Sequence, residues 1–290
     1  MKALCLSILA LSLCVRAEAA LTWAVFSDIH IGYATPTWEE GEPGSVWTWA
    51  QTNLHPSFLV LTGDITDDGD AAQWQSVTNA LASSVTNLPV YAVAGNHDYS
   101  GLRLATYWGS NSFAFTQGNY AFVGYPSYYN SGHGIVLSND LYWTTNTLAS
   151  ITNRTVFCFT HFGILDPNMP TGENIATGYG LEELTGAYTA ASVKFHIHGH
   201  THWCGLHTTE TNGWTEVLTP SMQFSCTSTN KGAFHFYSLA GTTLTVREYM
   251  AGEPYALRSE KTFTVPAYSE TEIAATASFP ALRVGTIQRN

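Results

Sequence analysis

Five short clusters in the 290-residue sequence carry residues able to do chemistry: Asp28-x-His30, Gly63-Asp64-x-x-Asp67, Gly95-Asn96-His97-Asp98, a lone His161, and Gly199-His200-Thr201-His202. Carboxylate, amide and imidazole donors without a thiolate suit divalent first-row metals such as Mn, Fe or Zn in mixed nitrogen and oxygen coordination. The candidate ligands Asp28, His30, Asp64, Asn96, His161, His200 and His202 are too many for one ion. They fit two ions sharing a carboxylate. Such a pair, ~3.5–4 Å apart, polarises a phosphoryl oxygen and supplies hydroxide near neutral pH. Each cluster alone is a weak signal; their joint occurrence in this order is a strong one.

Elements must bring these clusters together. Four apolar runs, Trp23 to Phe26, Phe58 to Leu61, Val90 to Val93 and Val156 to Phe159, each end in one of the clusters. Runs apolar throughout predict strands buried on both faces. Spacing at i and i+2 on a strand predicts that Asp28 joins His30, and His200 joins His202, on one side. Glycines before Asp64, Asn96 and His200 let the backbone turn tightly and approach the ions. Helices are predicted over 71–84, over 138–150 with Ser138 or Asn139 as N-cap, and as a shorter piece over 180–188. Runs 113–115 and 120–123 flank a hairpin turn at Gln117-Gly118-Asn119, and runs 215–218, 233–238, 243–249 and 262–265 read as antiparallel β. Strand alternating with helix, then strands alone, gives an α/β (α+β) fold with two sheets inside and helices outside, and ligands at the carboxyl ends of strands.

This order of motifs resembles the calcineurin-like metallophosphoesterase family over residues 22 to about 205. The resemblance implies a four-layer αββα sandwich of two mixed β-sheets flanked by helices. It also implies that Asp28, His30 and His202 hold one metal, that Asn96, His161 and His200 hold the other, and that Asp64 bridges them. His97 would stand over the metals, stabilising phosphoryl charge or protonating the leaving oxygen, and Asp98 would orient its ring. Gly63-Asp64-Ile65-Thr66-Asp67 lacks the tyrosine of purple acid phosphatases. Phe162-Gly163 follows His161 where many members have His and Pro. The stretch from Asp64 to Asp70, with Trp74 and Asn96-His97-Asp98 beyond it, is similar to the cyclic-nucleotide phosphodiesterase-like branch. The expected activity is therefore hydrolysis of a small phosphodiester or phosphomonoester by hydroxide. The alternative is a catalytically inactive phosphoesterase-fold binding or cell-surface protein.

Composition sets limits on the rest. Residues 1–19 read as a signal peptide, with Lys2, an apolar run from Leu4 to Val15 and Ala17-Glu18-Ala19. The expected product is a secreted or periplasmic protein with no membrane span, a phosphoesterase domain over 20–266 and a weakly structured tail over 267–290. Eleven Lys plus Arg face 22 Asp plus Glu in the whole chain, and charged residues are only 11% of it. So little basic surface excludes a duplex nucleic-acid binder that works by counterion release. A hydrophobic fraction of 45% excludes a mostly disordered chain. Beyond the signal, Cys158 is expected to be a buried free thiol, while Cys204 and Cys226 could pair. His196 and His198 are expected as packed histidines beside the ligands. His133 and His207 are expected on loops. Tyr33, Trp38, Trp47 and Trp49 either wall a pocket or, the preferred reading, cover the core.

Overall fold

The computed structural model describes residues 20–33, 42–98, 101–130, 132–165, 174–224 and 232–266. The expected signal peptide, the tail, Trp38 and Cys226 lie outside these residues. The first sheet contains β1 (Leu21–Phe26), β2 (Phe58–Thr62) and β3 (Val90–Val93), which run parallel, and β12 (Ala233–Ala240), β13 (Thr243–Met250) and β14 (Leu257–Thr264), which add an antiparallel meander. Its strand order is β14-β13-β12-β1-β2-β3. The second sheet has the order β10-β11-β9-β8-β5-β4, built from β4 (Phe113–Gln117), β5 (Tyr120–Gly124), β8 (Thr155–Phe159), β9 (Val193–His198), β10 (His207–Thr211) and β11 (Trp214–Leu218). In it β5, β8, β9 and β11 are parallel, and β4 and β10 close the two edges as hairpins. A small hairpin pairs β6 (Tyr128–Asn130) with β7 (His133–Ile135).

Helices α1 (Glu42–Leu54), α2 (Ala71–Ser84) and α3 (Gly101–Trp108) contribute to the apolar cluster on the outside of the first sheet, and α4 (Ser138–Ser150) and α5 (Leu181–Ala190) to that on the outside of the second. Between the sheets Trp23 is fully buried, stacked on Phe58 and Tyr237 with Phe122 and Phe157 edge-on. Both faces of β2, β3 and β8 are covered, which is why those strands read as unbroken apolar runs. The result is the expected four-layer sandwich.

Local signals explain the helices that were predicted. Asp70 caps α2 by accepting the Gln73 N–H at 2.8 Å, and Trp74, Val77 and Leu81 form its buried stripe. For α4 the cap differs from expectation: the helix begins at Ser138, and Leu137 occupies the N-cap with no side-chain bond. Helix α1 was not anticipated; its Val46, Trp47 and Ala50 are buried against the first sheet, so Trp47 belongs to the core. Trp49 stacks on Tyr255 at the edge of that cluster. Cys158 is a buried free thiol, and Cys204 is in a disulfide whose partner lies outside the described residues. No described helix is long and apolar enough to cross a membrane.

Candidate metal centre

The five clusters follow the carboxyl ends of β1, β2, β3, β8 and β9, where two parallel blocks of strands present their ends to one another. Asp28 and His30 do not converge through strand alternation, since β1 stops at Phe26. They sit beyond it in left-handed backbone with φ of 51° and 47°. The same holds for Asp64 (46°), His200 (80°) and His202 (57°). Left-handed backbone is rare for non-glycine residues, and its concentration here marks a turn geometry imposed by the surrounding structure. Backbone bonds impose it: the Ile29 and His30 amides both donate to the Asp64 carbonyl, at 2.8 and 2.9 Å, and Asp28 N donates to Gly63 O. Gly63, Gly95 and Gly199 leave no space for a Cβ, which would strike His161, Asp64 and Ser27 respectively.

Three groups of donor atoms result among the described residues: His30, Asp67 and His97 form one, and the other two overlap at Asp64. Ligand atoms of Asp28, His30, Asp64 and His202 lie within 4.8 Å of one another, and so do those of Asp64, His161 and His200. Asp64 is common to both. Its Oδ2 is 3.2 Å from His161 Nε2 and 3.7 Å from His30 Nε2, while Oδ1 accepts the His97 amide at 2.8 Å. Asp28 Oδ1 faces His202 Nε2 at 3.1 Å, and Oδ2 accepts the His200 amide. Asn96 Oδ1 lies 3.1 Å from His161 Nε2. All seven predicted ligands therefore gather at one place.

The imidazoles are oriented for ligation. A carbonyl can only accept, so His161 Nδ1, 2.9 Å from Thr62 O, carries the proton and a neutral ring offers its Nε2 lone pair to the cluster. His30 Nδ1 donates in the same way to Asp67 Oδ1 at 3.0 Å, leaving Nε2 buried with no hydrogen-bond partner. A buried, unpartnered imidazole nitrogen aimed at carboxylates is what a metal ligand looks like without its ion, so this donor set fits two divalent cations.

Charges in the cluster are strongly coupled. Burial works against ionisation of Asp28, but the His202, His161 and His30 imidazoles outweigh it and hold the carboxyl well below the usual range. Burial also disfavours charge on His161, yet Asp64 raises it to about 9, and burial together with His161 drives His200 down to about 3. Divalent ions would displace these protons, because metal ligands bind deprotonated.

Asp98 does not orient His97. It is completely buried, and its oxygens are occupied elsewhere: Oδ1 accepts Ile65 N, Thr66 N and Thr66 Oγ1 at 3.0, 2.9 and 3.0 Å, and Oδ2 accepts Gly95 N at 2.9 Å. It ties the Asp64 turn to the Asn96 turn. Burial and the Asp64 charge push it up to about 7, and cations in the cluster would act in the opposite sense. His97 is held instead by Asp67, whose carbonyl accepts Nδ1–H at 2.7 Å and whose carboxylate lies 3.8 Å from the same nitrogen.

Other residues reach the centre without having been anticipated. The segment after β11 packs under Asp28: Ser221 Oγ donates to the Asp28 carbonyl, Gln223 N bonds the same oxygen, and Phe224 stacks on His202 at 4.2 Å with His30 and Tyr33 edge-on. A weak signal existed, for Thr219-Pro220-Ser221 follows an apolar strand end as the other clusters do, but without ligand side chains. His196 and His198 are buried on the outer face of β9 against Glu216. His207 opens β10 and bonds the Cys204 carbonyl, and His133 lies in β7.

The sequence profile of calcineurin-like phosphoesterases matches residues 21–204. No functionally curated protein matches the chain. Among solved structures, a dimetal phosphatase from Danio rerio superposes with a TM-score of 0.65 at 14% identity, covering 86% of this chain and 100% of that one. GAP50, the anchor in the inner membrane complex of Plasmodium, gives 0.62 at 12% identity over 91% and 98%. The purple acid phosphatase PPD1 from yellow lupin (Lupinus luteus) seeds gives 0.61 at 12% identity over 91% of this chain and 57% of the lupin chain. At these identities the likeness is one of fold.

Proposed function

The chain belongs to the calcineurin-like phosphoesterase family and is a metal-dependent phosphoric ester hydrolase with two divalent ions; from that premise we propose an exported enzyme that prefers phosphodiesters. The observation that carries the reading is the pair of donor groups sharing Asp64. Asp28, His30 and His202 would hold one ion, Asn96, His161 and His200 the other, and Asp64 both. Bound there, two cations polarise a phosphoryl oxygen and lower the pKa of water toward neutrality. The chain's own part is to fix the donors, through the Thr62 carbonyl on His161 and Asp67 on His30, and to supply His97. With Nδ1–H donated to the Asp67 carbonyl, His97 Nε2 is the group left to meet phosphoryl charge. In its doubly protonated form the ring would meet that charge with Nε2–H and pass this proton to the departing oxygen.

Preference for a diester rests on where the cations are. Of the described basic side chains, Arg154 precedes β8 and Lys194 lies at the start of β9, both at the opposite end of the second sheet from the centre. Arg247 and Lys261 lie on β13 and β14, and Arg258 on β14 is paired with Glu248. None of these is placed to clamp the dianion of a monoester, whereas a monoanionic diester needs no such clamp. Aromatic rings of Phe224, Tyr33 and Tyr129 stand beside the histidines and suit an apolar or aromatic ester group. Export is supported by the apolar segment within residues 1–19 and by the Cys204 disulfide, which suits an oxidising compartment. The test is a comparison of bis-p-nitrophenyl phosphate with p-nitrophenyl phosphate on Mn-loaded protein. Metal-dependent turnover with higher kcat/KM for the diester is expected. Turnover of neither compound would favour the inactive binding protein, and a monoester preference would overturn the substrate assignment.

A further inference from the structure

Behind the centre, on the outer face of the second sheet, the buried polar side chains form a connected line. Glu216 on β11 is fully buried. Its Oε2 lies 2.6 Å from His196 Nδ1 on β9 and 3.6 Å from His198 Nε2, and Oε1 accepts Trp214 Nε1–H at 2.8 Å. The buried His196 reaches onward with Nε2, 2.7 Å from Thr160 Oγ1. A hydroxyl has one proton, and that of Thr160 goes to the Phe162 carbonyl, so Thr160 must accept from His196 Nε2–H. On the other side of the same turn, Ser127 Oγ accepts the amides of both His161 and Phe162. These bonds therefore converge on Thr160-His161-Phe162, the turn that carries a metal ligand.

Stability alone does not explain this line. Val156, Cys158 and Val193 also belong to the apolar cluster on this face of the sheet, and a buried ion pair is often no more stabilising than apolar residues of the same volume. Burial opposes charge on Glu216, but the His196 imidazole holds it below the usual carboxylate range. With the carboxylate charged, His196 donates from both nitrogens and cannot rotate without losing one bond. The arrangement is rigid, and its rigidity is delivered at Thr160.

We propose that Glu216, His196 and Thr160 are positioning residues that fix the turn bearing His161, and that they thereby set the affinity of the ion shared by His161 and His200. The inference rests on the dinuclear reading above. The side chains that orient metal ligands typically govern metal affinity by about 10–100-fold. Manganese titration of the metal-free protein, read as free Mn by electron paramagnetic resonance, separates the two binding steps, and melting temperatures of the same samples report folding. Thr160→Val and Thr160→Ala, which remove the hydroxyl, are expected to weaken one step by about 10–100-fold and leave the other alone. Thr160→Ser, which keeps the hydroxyl, recovers most of the affinity. Glu216→Gln weakens the same step by a smaller factor and adds little on the Thr160→Val background. Equal weakening of both steps, unchanged binding in Thr160→Val and Thr160→Ala, or failure of Thr160→Ser to recover the affinity would overturn the proposal while the wild type still takes two ions. A wild type that binds fewer than two ions would overturn the dinuclear reading, and this proposal with it.

Discussion

Asp98→Asn exchanges one carboxylate oxygen for an amide NH2 at a point where four donors converge. The amide oxygen goes to the Oδ1 position, where it keeps Ile65 N, Thr66 N and the Thr66 hydroxyl. The NH2 then faces the Gly95 amide, donor to donor, where Oδ2 accepted at 2.9 Å. One buried amide left unsatisfied costs about 1–3 kcal/mol. For a domain of this size that is a fall of roughly 2–12 °C in melting temperature, at about 2–4 °C per kcal/mol. Asp98→Ala strands three buried backbone amides, a loss of about 3–9 kcal/mol against a typical total of about 5–15. The comparison is made by calorimetry on metal-loaded protein, where the dications offset the Asp64 charge that otherwise favours a neutral side chain at this position. If Asp98 instead oriented His97, Asp98→Asn would leave the melting temperature alone and reduce kcat. That outcome would refute the assignment of Asp98 as a tie between the Asp64 and Asn96 turns.

His97→Ala is expected to keep both ions and the fold but to lose about 10²–10⁴ in kcat, since the ring makes no metal contact in the proposed scheme; metal analysis beside steady-state kinetics checks this. For Glu216, whose carboxyl is held below its usual value, the stabilisation is present above about pH 4.5 and is lost as pH falls through the depressed value. The melting-temperature gap between wild type and Glu216→Gln, measured on metal-free protein, should therefore be widest above pH 4.5 and close on acidification. A gap that widens in acid would contradict the ion pair. Trp23→Ala removes a fully buried ring from the stack between the sheets and should cost about 3–5 kcal/mol. Trp23→Phe should cost less, because the indole Nε1 has no hydrogen-bond partner to lose. Urea midpoints of the two variants decide this.

The residues that sequence reasoning found are those whose type is itself the chemistry. Asp, Asn and His at strand ends stand out in a chain with only 11% charged residues, and their order along the chain needs no three-dimensional knowledge. Continuous apolar strands and the Asp70-capped α2 were legible for equally local reasons. What stayed hidden depends on partners distant in sequence. Glu216 in Trp-Thr-Glu-Val-Leu reads as a solvent-facing strand residue, and only the pairing of β11 with β9 sets it beside His196. Helix α1 begins Glu-Pro-Gly-Ser, which reads as a turn, while its buried face depends on the sheet beneath it. Asp98 has the right chemical type for orienting a histidine, but its direction is set by how the turns of Asp64 and Asn96 interlock.

The left-handed backbone at Asp28, His30, Asp64, His200 and His202 shows why those two kinds of information differ. Spacing at i and i+2 points to convergence, yet the strands stop before the ligands, so strand alternation cannot be its cause. Convergence comes from turns whose conformations cost about 1–3 kcal/mol each and persist only because neighbouring segments over-determine them. The fixing bonds are visible: Asp64 O holds the Asp28-x-His30 turn, Asp98 holds the Asp64 turn, Asp28 Oδ2 holds His200, and Ser127 with Thr160 holds His161. Each turn is secured by a residue from another cluster or from outside them all. The ligand geometry is thus set largely before any ion arrives, and a substitution of a securing residue should be felt as lost metal affinity at the turn it holds.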